Sequence, residues 1–550
     1  MKLRYLLFFL LPGTMLSAQT DSIKSMSQQY QLNIPVKKKK RHYLMADPQP
    51  FAQTITAADL KAVLDVLASN AMQGRETGQE GQRKAADFIA KQFKDAGIPA
   101  KGDRNSYFQK IMLSNDSWTD IGLKVGDKEY KNRADFYVYP ALNPDNPLIS
   151  TKEVVFVGYG IDDPKYSDYG KADVQGKAVI FYDGEPLDAK GNSLITGTLF
   201  RSDWSINWKK KVQIAKTKGA TIAFIIDPKI AENLKNNRKL LSSYGWKPVA
   251  SNESKLSADM INNVFVSPEL ATAIMGDKAE KVQEAIKDLQ AGEKFKAVKI
   301  KSKIEVRLDK DSKILEGSNV LAVIEGTDEE MKKEYVFVTA HYDHLGMPDT
   351  SVIYHGADDN ASGSSGVIAI AKAFQEAKKQ GIGPKRTVVC MLVSGEEKGL
   401  LGSKYYTEFP VFPLEKTVVD VNIDMIGRLD EKHKDNPNYI YVIGSDRLSP
   451  DLHEINERVN EEHDKLELDY KYNAKDDPNH YYERSDHYNF AEKGIPAIFY
   501  FNGTHADYHR PTDTADKINF DALAKRAKLA FYTAWEVANR PGRIMIEKKE

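Results

Sequence analysis

The chain has 550 residues, enough for two to four domains around well-buried cores. Its 78 basic and 78 acidic side chains cancel to a formal net charge of zero, which excludes a global field that would draw nucleic acid or an anionic membrane. The single cysteine, Cys390, excludes an intramolecular disulfide and, inside the apolar run TVVCMLV, reads as a small hydrophobe.

Residues 1–18 carry Lys2 and Arg4, the apolar run YLLFFLLPGTML and then Ser17-Ala18, the layout of a cleaved signal peptide whose apolar run is too short to span a bilayer. No later stretch is long and apolar enough to cross a membrane, so the expectation is an exported protein, periplasmic or extracellular, with no membrane span. Residues 19–54 are polar, contain KKKKR and read as a flexible lead-in. From 55 to 129 runs the first part of the main domain: AADLKAVLDVLAS and GQEGQRKAADFIAKQFKDAG have helical spacing, flank a loop at 71–78 and stop at Gly97. After Asp103 the texture turns to short strands. Residues 130–305 hold EVVFVGYGI, GKAVIFYDGEP and ATIAFIIDP, with the helical WKKKVQIAKTKG between the last two, and read as an inserted β-rich module because nothing in it clusters His with acidic residues at ligand spacing.

Residues 306–540 form the main part of that domain, with 541–550 as a tail. Here strands and helices alternate: SNVLAVIEG, YVFVTAHYD, a helix near 364–380, TVVCMLVSGEE, KTVVDVNIDMIG, YIYVIG, a helix near 450–465, IPAIFYFNG and a closing helix at 520–539. The alternation predicts an α/β fold, a doubly wound mixed sheet flanked by helices. Acidic residues collect at the apolar strand ends, where such sheets open a ligand crevice.

Four strand ends and one loop supply His341, Asp358, Glu397, Asp424 and His509. Two imidazoles and three carboxylates without a thiolate suit catalytic Zn²⁺, and the same donors admit Mn or Co. Five ligands exceed one tetrahedral site and fit two ions sharing one carboxylate, about 3.5–4 Å apart. Of the other histidines, His42, His344, His355, His433, His453, His463, His480 and His505 receive no ligand role, and His487 reads as pocket-lining or structural.

In this order, AHYDHLG (340–346), GADDNASG (356–363), SGEEKGLLGS (394–403), NIDMIG (422–427), SDHYNFAEKGIPA (485–497) and YHRPTDT (508–514), with GRETGQEG (74–81) upstream, make the chain resemble the co-catalytic di-zinc exopeptidases. That family includes bacterial secreted aminopeptidases and, more distantly, glutamate carboxypeptidase and the transferrin receptor. The stretch GYGIDDPKYSDYGKADVQGKAVI and the helix and strand after it resemble the protease-associated domain often inserted in such enzymes. The resemblance implies two Zn²⁺ ions bridged by Asp358, one completed by His341 and Asp424 and the other by Glu397 and His509. Glu396 would be the general base, Asp343 would orient the His341 imidazole, and the Asp358–Asp359 peptide would be cis. Glu396 and Glu397, adjacent on an extended chain, would point opposite ways.

The function so implied is a secreted zinc-dependent aminopeptidase acting on peptides, with Asp486, Tyr508 and the pair Tyr481-Tyr482 lining its pocket. The alternative is a carboxypeptidase or dipeptidase of the same superfamily, in which Arg484 or Arg428 would hold the substrate carboxylate. A cyclising aminoacyltransferase would need one zinc and not the full five-ligand set, and a binding protein that has lost its ligands would not keep all five positions and Glu396.

Overall fold

In a computed structural model the residues described are 45–238, 241, 245–249, 260–291 and 293–547, so the signal-peptide expectation and residues 19–44 of the lead-in lie outside them, while its end is not a free lead-in: Gln49–Ala52 is a short helix that buries Phe51 against Trp535. All of these except Met45 belong to one unit, Ala46–Glu550. Helix α1 (Ala57–Leu67) begins where the Thr56 side chain accepts the Asp59 N–H, and it buries Leu60, Val63, Leu64 and Leu67 on one face. Helix α2 (Glu80–Asp95) buries Ala85, Ala86, Ile89 and Phe93, and the chain leaves it through Gly97 at φ 77°.

Two strands are far longer than the expected short ones. β1 (Phe108–Val125) pairs antiparallel with a later strand of 27 residues over the registers Phe108↔Val320 to Val125↔Ile304. Between them lie β2 (Asn146–Phe156), β3 (Ala178–Tyr182), helix α3 (Trp208–Thr217), β4 (Ile222–Ile226), β5 (Asn262–Val266) and helix α4 (Pro268–Met275). β2 to β5 run parallel, β2 beside β3, β3 beside β4 and β4 beside β5. This region has its own cores, one around Phe156, Ile180 and Phe224, the other around Val179, Ile225 and Val212 of α3. It is therefore itself a parallel α/β layer, reached along the ribbon.

The long strand, β6 (Val298–Ile324), crosses residues 305 and 306 without a break; its first half pairs with β2 and its last five residues with β8 (Thr387–Val393). The period-2 burial of VKIKSKIEVRL suits such a span, with lysines outward and valine or isoleucine inward. The remaining elements are β7 (Tyr335–His341), helix α5 (Gly363–Lys379), helix α6 (Leu401–Glu408), β9 (Thr417–Ile423), β10 (Tyr439–Ile443), helix α7 (Pro450–Val459), β11 (Glu467–Asp469), helix α8 (His487–Glu492), β12 (Ala497–Phe501) and helix α9 (Phe520–Asn539).

The strand order is β11-β10-β12-β9-β7-β8-β6-β2-β3-β4-β5, with the two-residue strand Phe136–Tyr137 beyond β5 and β1 paired to β6 off this path. β8, β7, β9 and β12 are mutually parallel, while β10 and β6 run antiparallel to their neighbours, so the sheet is mixed as expected. Successive β7 side chains reach opposite layers: Val336, Val338 and Ala340 join the core with α1, α2, α5 and α9, while Phe337 packs against Tyr406 of α6 and Phe490 of α8. Because the four central strands are parallel, His341, the turn after Val393, Asp424 and the loop after Phe501 emerge at one sheet edge.

Candidate metal centre

At that edge three carboxylates and three imidazoles converge. His341 Nε2 lies 3.3 Å from Asp359 Oδ1 and 3.2 Å from Asp424 Oδ1. His509 Nε2 lies 3.1 Å from Asp359 Oδ2 and 3.2 Å from Glu397 Oε2. His344 Nδ1 lies 2.8 Å from Glu397 Oε1 and 3.8 Å from Asp359 Oδ2. Each oxygen of Asp359 thus faces a different donor set, and both sets could hold an ion: His341, Asp359 and Asp424, and His344, Asp359 and Glu397.

The electrostatics fit cations. Burial disfavours a charged His341, yet Asp424, Glu396 and Asp359 outweigh it and hold the imidazole well above its usual range. His509 is pushed up to about 10, again against burial, by Asp359 and Glu397. The Asp359 carboxyl, despite burial, is held well below the usual range by His341, His509 and His344. A buried acidic cluster of this kind needs compensating positive charge, which imidazolium protons or divalent ions would supply.

Asp358, expected as the bridge, is not part of this cluster. Its Oδ1 accepts the Gly427 N–H at 2.7 Å, and its Oδ2 accepts from Asn502 Nδ2 at 3.1 Å and faces His505 Nε2 at 3.1 Å. The turn over 357–362 sends adjacent carboxylates opposite ways, and it is Asp359 that turns to the histidines; the non-proline cis bond is Asp359–Asn360, not Asp358–Asp359. Gly356 opens this turn at φ 53°, where an added Cβ would stand 2.2 Å from the Asp359 carbonyl oxygen. His344, denied a ligand role, belongs to the cluster because the chain leaves strand geometry after His341 and strand alternation no longer applies; the signal was its place three residues on, in AHYDHLG.

Glu396 and Glu397 do diverge, but from a turn in which the Gly399 N–H donates to Glu396 O at 2.8 Å, not from an extended chain. Glu396 lines the cleft beside His341 and Asp424, and its carboxyl is pushed well above the usual range by burial and by Glu397, Asp424 and Asp486, against the pull of His341. Asp343 does not orient the imidazole through its carboxylate: His341 Nδ1 is 3.2 Å from the Asp343 main-chain oxygen and 3.8 Å from Oδ1. The carboxylate accepts instead from Thr77 Oγ1 at 2.8 Å and Glu396 N at 3.3 Å, tying the loop after β7 to the turn after β8.

The upstream GRETG motif acquires its role here. Arg75, fully buried, donates to the main-chain oxygens of Leu67, Tyr342, His355 and Gly356 at 2.6–2.8 Å. Its guanidinium is pushed down to about 10 by burial, although Asp359, Asp343, Asp513 and Glu397 pull it up. Asp513, in the last motif, accepts the Asp358 and Asp359 N–H groups at 3.0–3.2 Å and fixes the turn from the other side.

The cleft is walled by Met425, Tyr481, Phe499, Phe501, Thr504 and Tyr508, with Arg484 at its rim. Tyr508 stacks on His509, ring centroids 4.0 Å apart, and the exposed Arg484 lies over the Tyr481 ring. Asp486 and His487, expected in the pocket, pack behind it. Asp486 is fully buried, accepts Ser403 Oγ at 2.5 Å and is pushed up to about 7 by burial; the buried His487 ring lies against Phe499 and is pushed down to about 3 by desolvation. Arg428 is already paired, 2.9 Å from Asp507 and 3.8 Å from Asp513.

A mixed α/β sheet with a convergent His/Asp/Glu cluster at the C-terminal ends of its parallel strands describes a metallohydrolase class. Residues 319–534 match the model of Peptidase family M28, which bears out the resemblance carried by the motifs over the catalytic half. A probable leucine aminopeptidase of Trichophyton verrucosum (strain HKI 0517) is 28% identical over 228 residues, 40% of this chain and 57% of the relative. A probable glutamate carboxypeptidase of Arthroderma benhamiae is 35% identical over 108 residues, 20% of this chain and 14% of the relative. Among solved structures, an aminopeptidase from Aneurinibacillus sp. strain AM-1 aligns at 18% identity and TM-score 0.43 over 92% of this chain and 99% of that one. The chain spans little more than half the length of the curated leucine aminopeptidases it matches.

Proposed function

We propose that this chain is an exported two-zinc exopeptidase, an aminopeptidase that removes N-terminal residues from peptides, and that the inserted layer is a protease-associated domain. The observation that carries the two-metal reading is Asp359, whose two oxygens face His341 and His509 separately at 3.3 and 3.1 Å. His341 and Asp424 would hold one ion, Glu397 and His509 the other, with Asp359 shared and His344 fixing Glu397 or ligating beside it. Such a pair of divalent ions supplies Lewis acidity to the scissile carbonyl and to a water nucleophile. Glu396, lining the cleft between these ligands and the aromatic wall, takes the proton from that water and returns it to the leaving amine.

The wall of Met425, Phe499, Phe501, Tyr481 and Tyr508 suits a large apolar side chain on the N-terminal residue. The buried excess of carboxylates over fixed cations suits a free α-ammonium group, and the leucine aminopeptidases among the relatives support this reading. The alternative, a carboxypeptidase or dipeptidase, draws on one observation: the exposed guanidinium of Arg484 at the cleft rim.

The test is turnover of aminoacyl chromogenic amides, N-blocked amides and C-terminally amidated peptides, before and after chelation and with zinc added back. An aminopeptidase cleaves the free aminoacyl amides, best with leucine or phenylalanine, and ignores blocked ones; cleavage confined to free C-termini would overturn the assignment. Glu396→Gln should lower kcat by at least a thousandfold while zinc content stays at wild-type level.

A further inference from the structure

Behind the metal centre runs a row of buried polar side chains that do not line the cleft. Thr339 on β7 and Asp420 and Asn422 on β9 are all fully buried, with Thr339 and Asn422 in register. Thr339 Oγ1 lies 2.9 Å from Asp420 Oδ1 and 2.9 Å from Asn422 Oδ1. Asn422 Nδ2 donates to Ser485 Oγ at 2.8 Å, and Ser485 Oγ donates to Asp424 Oδ2 at 2.7 Å.

The protons can be counted along this row. Ser485 has one hydroxyl proton, and the Asp424 carboxylate can only accept it. Ser485 must then accept from Asn422 Nδ2, which turns the Asn422 amide oxygen toward Thr339. An amide oxygen also only accepts, so the one Thr339 hydroxyl proton is committed to it. The 2.9 Å contact between Thr339 and Asp420 is therefore a hydrogen bond only if Asp420 brings the proton. The surroundings agree: Asp420 Oδ2 is buried without a hydrogen-bond partner, and the charged group acting on it is another acid, Asp486. An ionised carboxylate there would have no cation and, at most, the one Thr339 hydroxyl as donor, whereas a carboxylic acid brings its own proton to that contact. Burial holds the Asp420 carboxyl well above the usual carboxylate range.

We infer that Asp420 is a neutral carboxylic acid heading a one-way chain of hydrogen bonds, Asp420 to Thr339 to Asn422 to Ser485 to Asp424, and that these four are positioning residues for Asp424. The chain commits Asp424 Oδ2 to Ser485 and leaves Oδ1, 3.2 Å from His341 Nε2, as the oxygen offered to the centre. Asp420 acts four residues away through three intermediaries. The consequence for metal binding rests on the two-zinc reading above; the protonation of Asp420 does not. Partners that orient a ligating carboxylate are typically worth 10–100-fold in metal affinity.

Infrared spectra of wild-type protein at pH 7, with and without zinc, should show the carbonyl stretch of a protonated carboxyl that is missing in Asp420→Asn. Zinc affinity is read by chelator competition. Thr339→Val and Ser485→Ala should each weaken one of the two zinc equivalents about 10–100-fold, with kcat lowered and KM little changed, and Thr339→Ser should restore both. Asp420→Asn, whose amide N–H can still donate to Thr339, should bind zinc within about twofold of wild type. The inference is overturned if the Asp420 band is absent, or if Thr339→Val binds both zinc ions as wild type does. If wild type bound no zinc, the two-metal reading would fall and the infrared band alone would decide the chain.

Discussion

Replacing Arg75 by Met keeps the apolar length of the side chain and removes every donor of its guanidinium. The carbonyls of Leu67, Tyr342 and the half-buried His355 then lose a charge-assisted partner, while Gly356 O keeps only the Ala361 N–H at 3.2 Å. An unsatisfied buried acceptor costs about 1–3 kcal/mol, and three summed without relaxation give roughly 3–9 kcal/mol. Two of the four sit on the stretch 355–356 that leads into the Asp359 turn, so the protein can shed part of this cost by letting that stretch open to water. About 4–5 kcal/mol of lost stability is therefore expected, together with loss of zinc, because the turn that aims Asp359 is no longer held. Lysine offers donors at a single point and cannot span four carbonyls, so Arg75→Lys should recover less than half. Urea denaturation read by tryptophan fluorescence and circular dichroism gives the stability, and metal analysis after gel filtration gives the zinc. A variant within about 0.5 kcal/mol of wild type with full zinc content would refute the reasoning.

Asp359→Asn should abolish tight zinc binding at both positions, whereas Asp358→Asn should retain both ions and lose stability by about 1–3 kcal/mol through its contacts to Gly427, Asn502 and His505; equal zinc loss in the two variants would contradict the assignment. Gly356→Ala combines a positive φ with a Cβ 2.2 Å from the Asp359 carbonyl oxygen, so its crystal structure should show the Asp359 turn displaced and its zinc affinity should fall about tenfold or more. His487 is neutral in the fold, its pKa pushed down to about 3 by burial against about 6.5 when unfolded. Its contribution is full above about pH 6.5 and is lost as the pH falls toward about 3, which amounts to about 2 kcal/mol between pH 7 and pH 5. His487→Phe should remove that part of the acid sensitivity; identical pH dependence of urea stability in variant and wild type would show that the ring is not desolvated.

The sequence alone showed the strand-and-helix alternation of the catalytic half and the closing helix 520–539, because buried parallel strands and amphipathic helices write their burial into periodicity. It also placed His341, Glu397, Asp424 and His509 at strand ends, and the parallel sheet does bring those ends to one edge. It did not decide between Asp358 and Asp359, since two adjacent acids in a glycine-flanked turn have no periodicity to distinguish them, and only the Asp513, Gly427 and Asn502 contacts fix which one turns inward. His344, set aside with the histidines taken as surface or hydrogen-bonding residues, lies in the loop past the end of β7 at His341, where no periodicity marks the direction it faces. The long β1/β6 ribbon was legible only as separate fragments, because its continuity comes from pairing over the registers 108–125 with 304–320. Arg75 and the Asp420-to-Asp424 chain were invisible for a different cause: apart from Leu67, their partners are main-chain oxygens and side chains distant in the chain, 61 residues away for Ser485 and Asp424 and 281 for Arg75 and Gly356, and only the fold makes them neighbours.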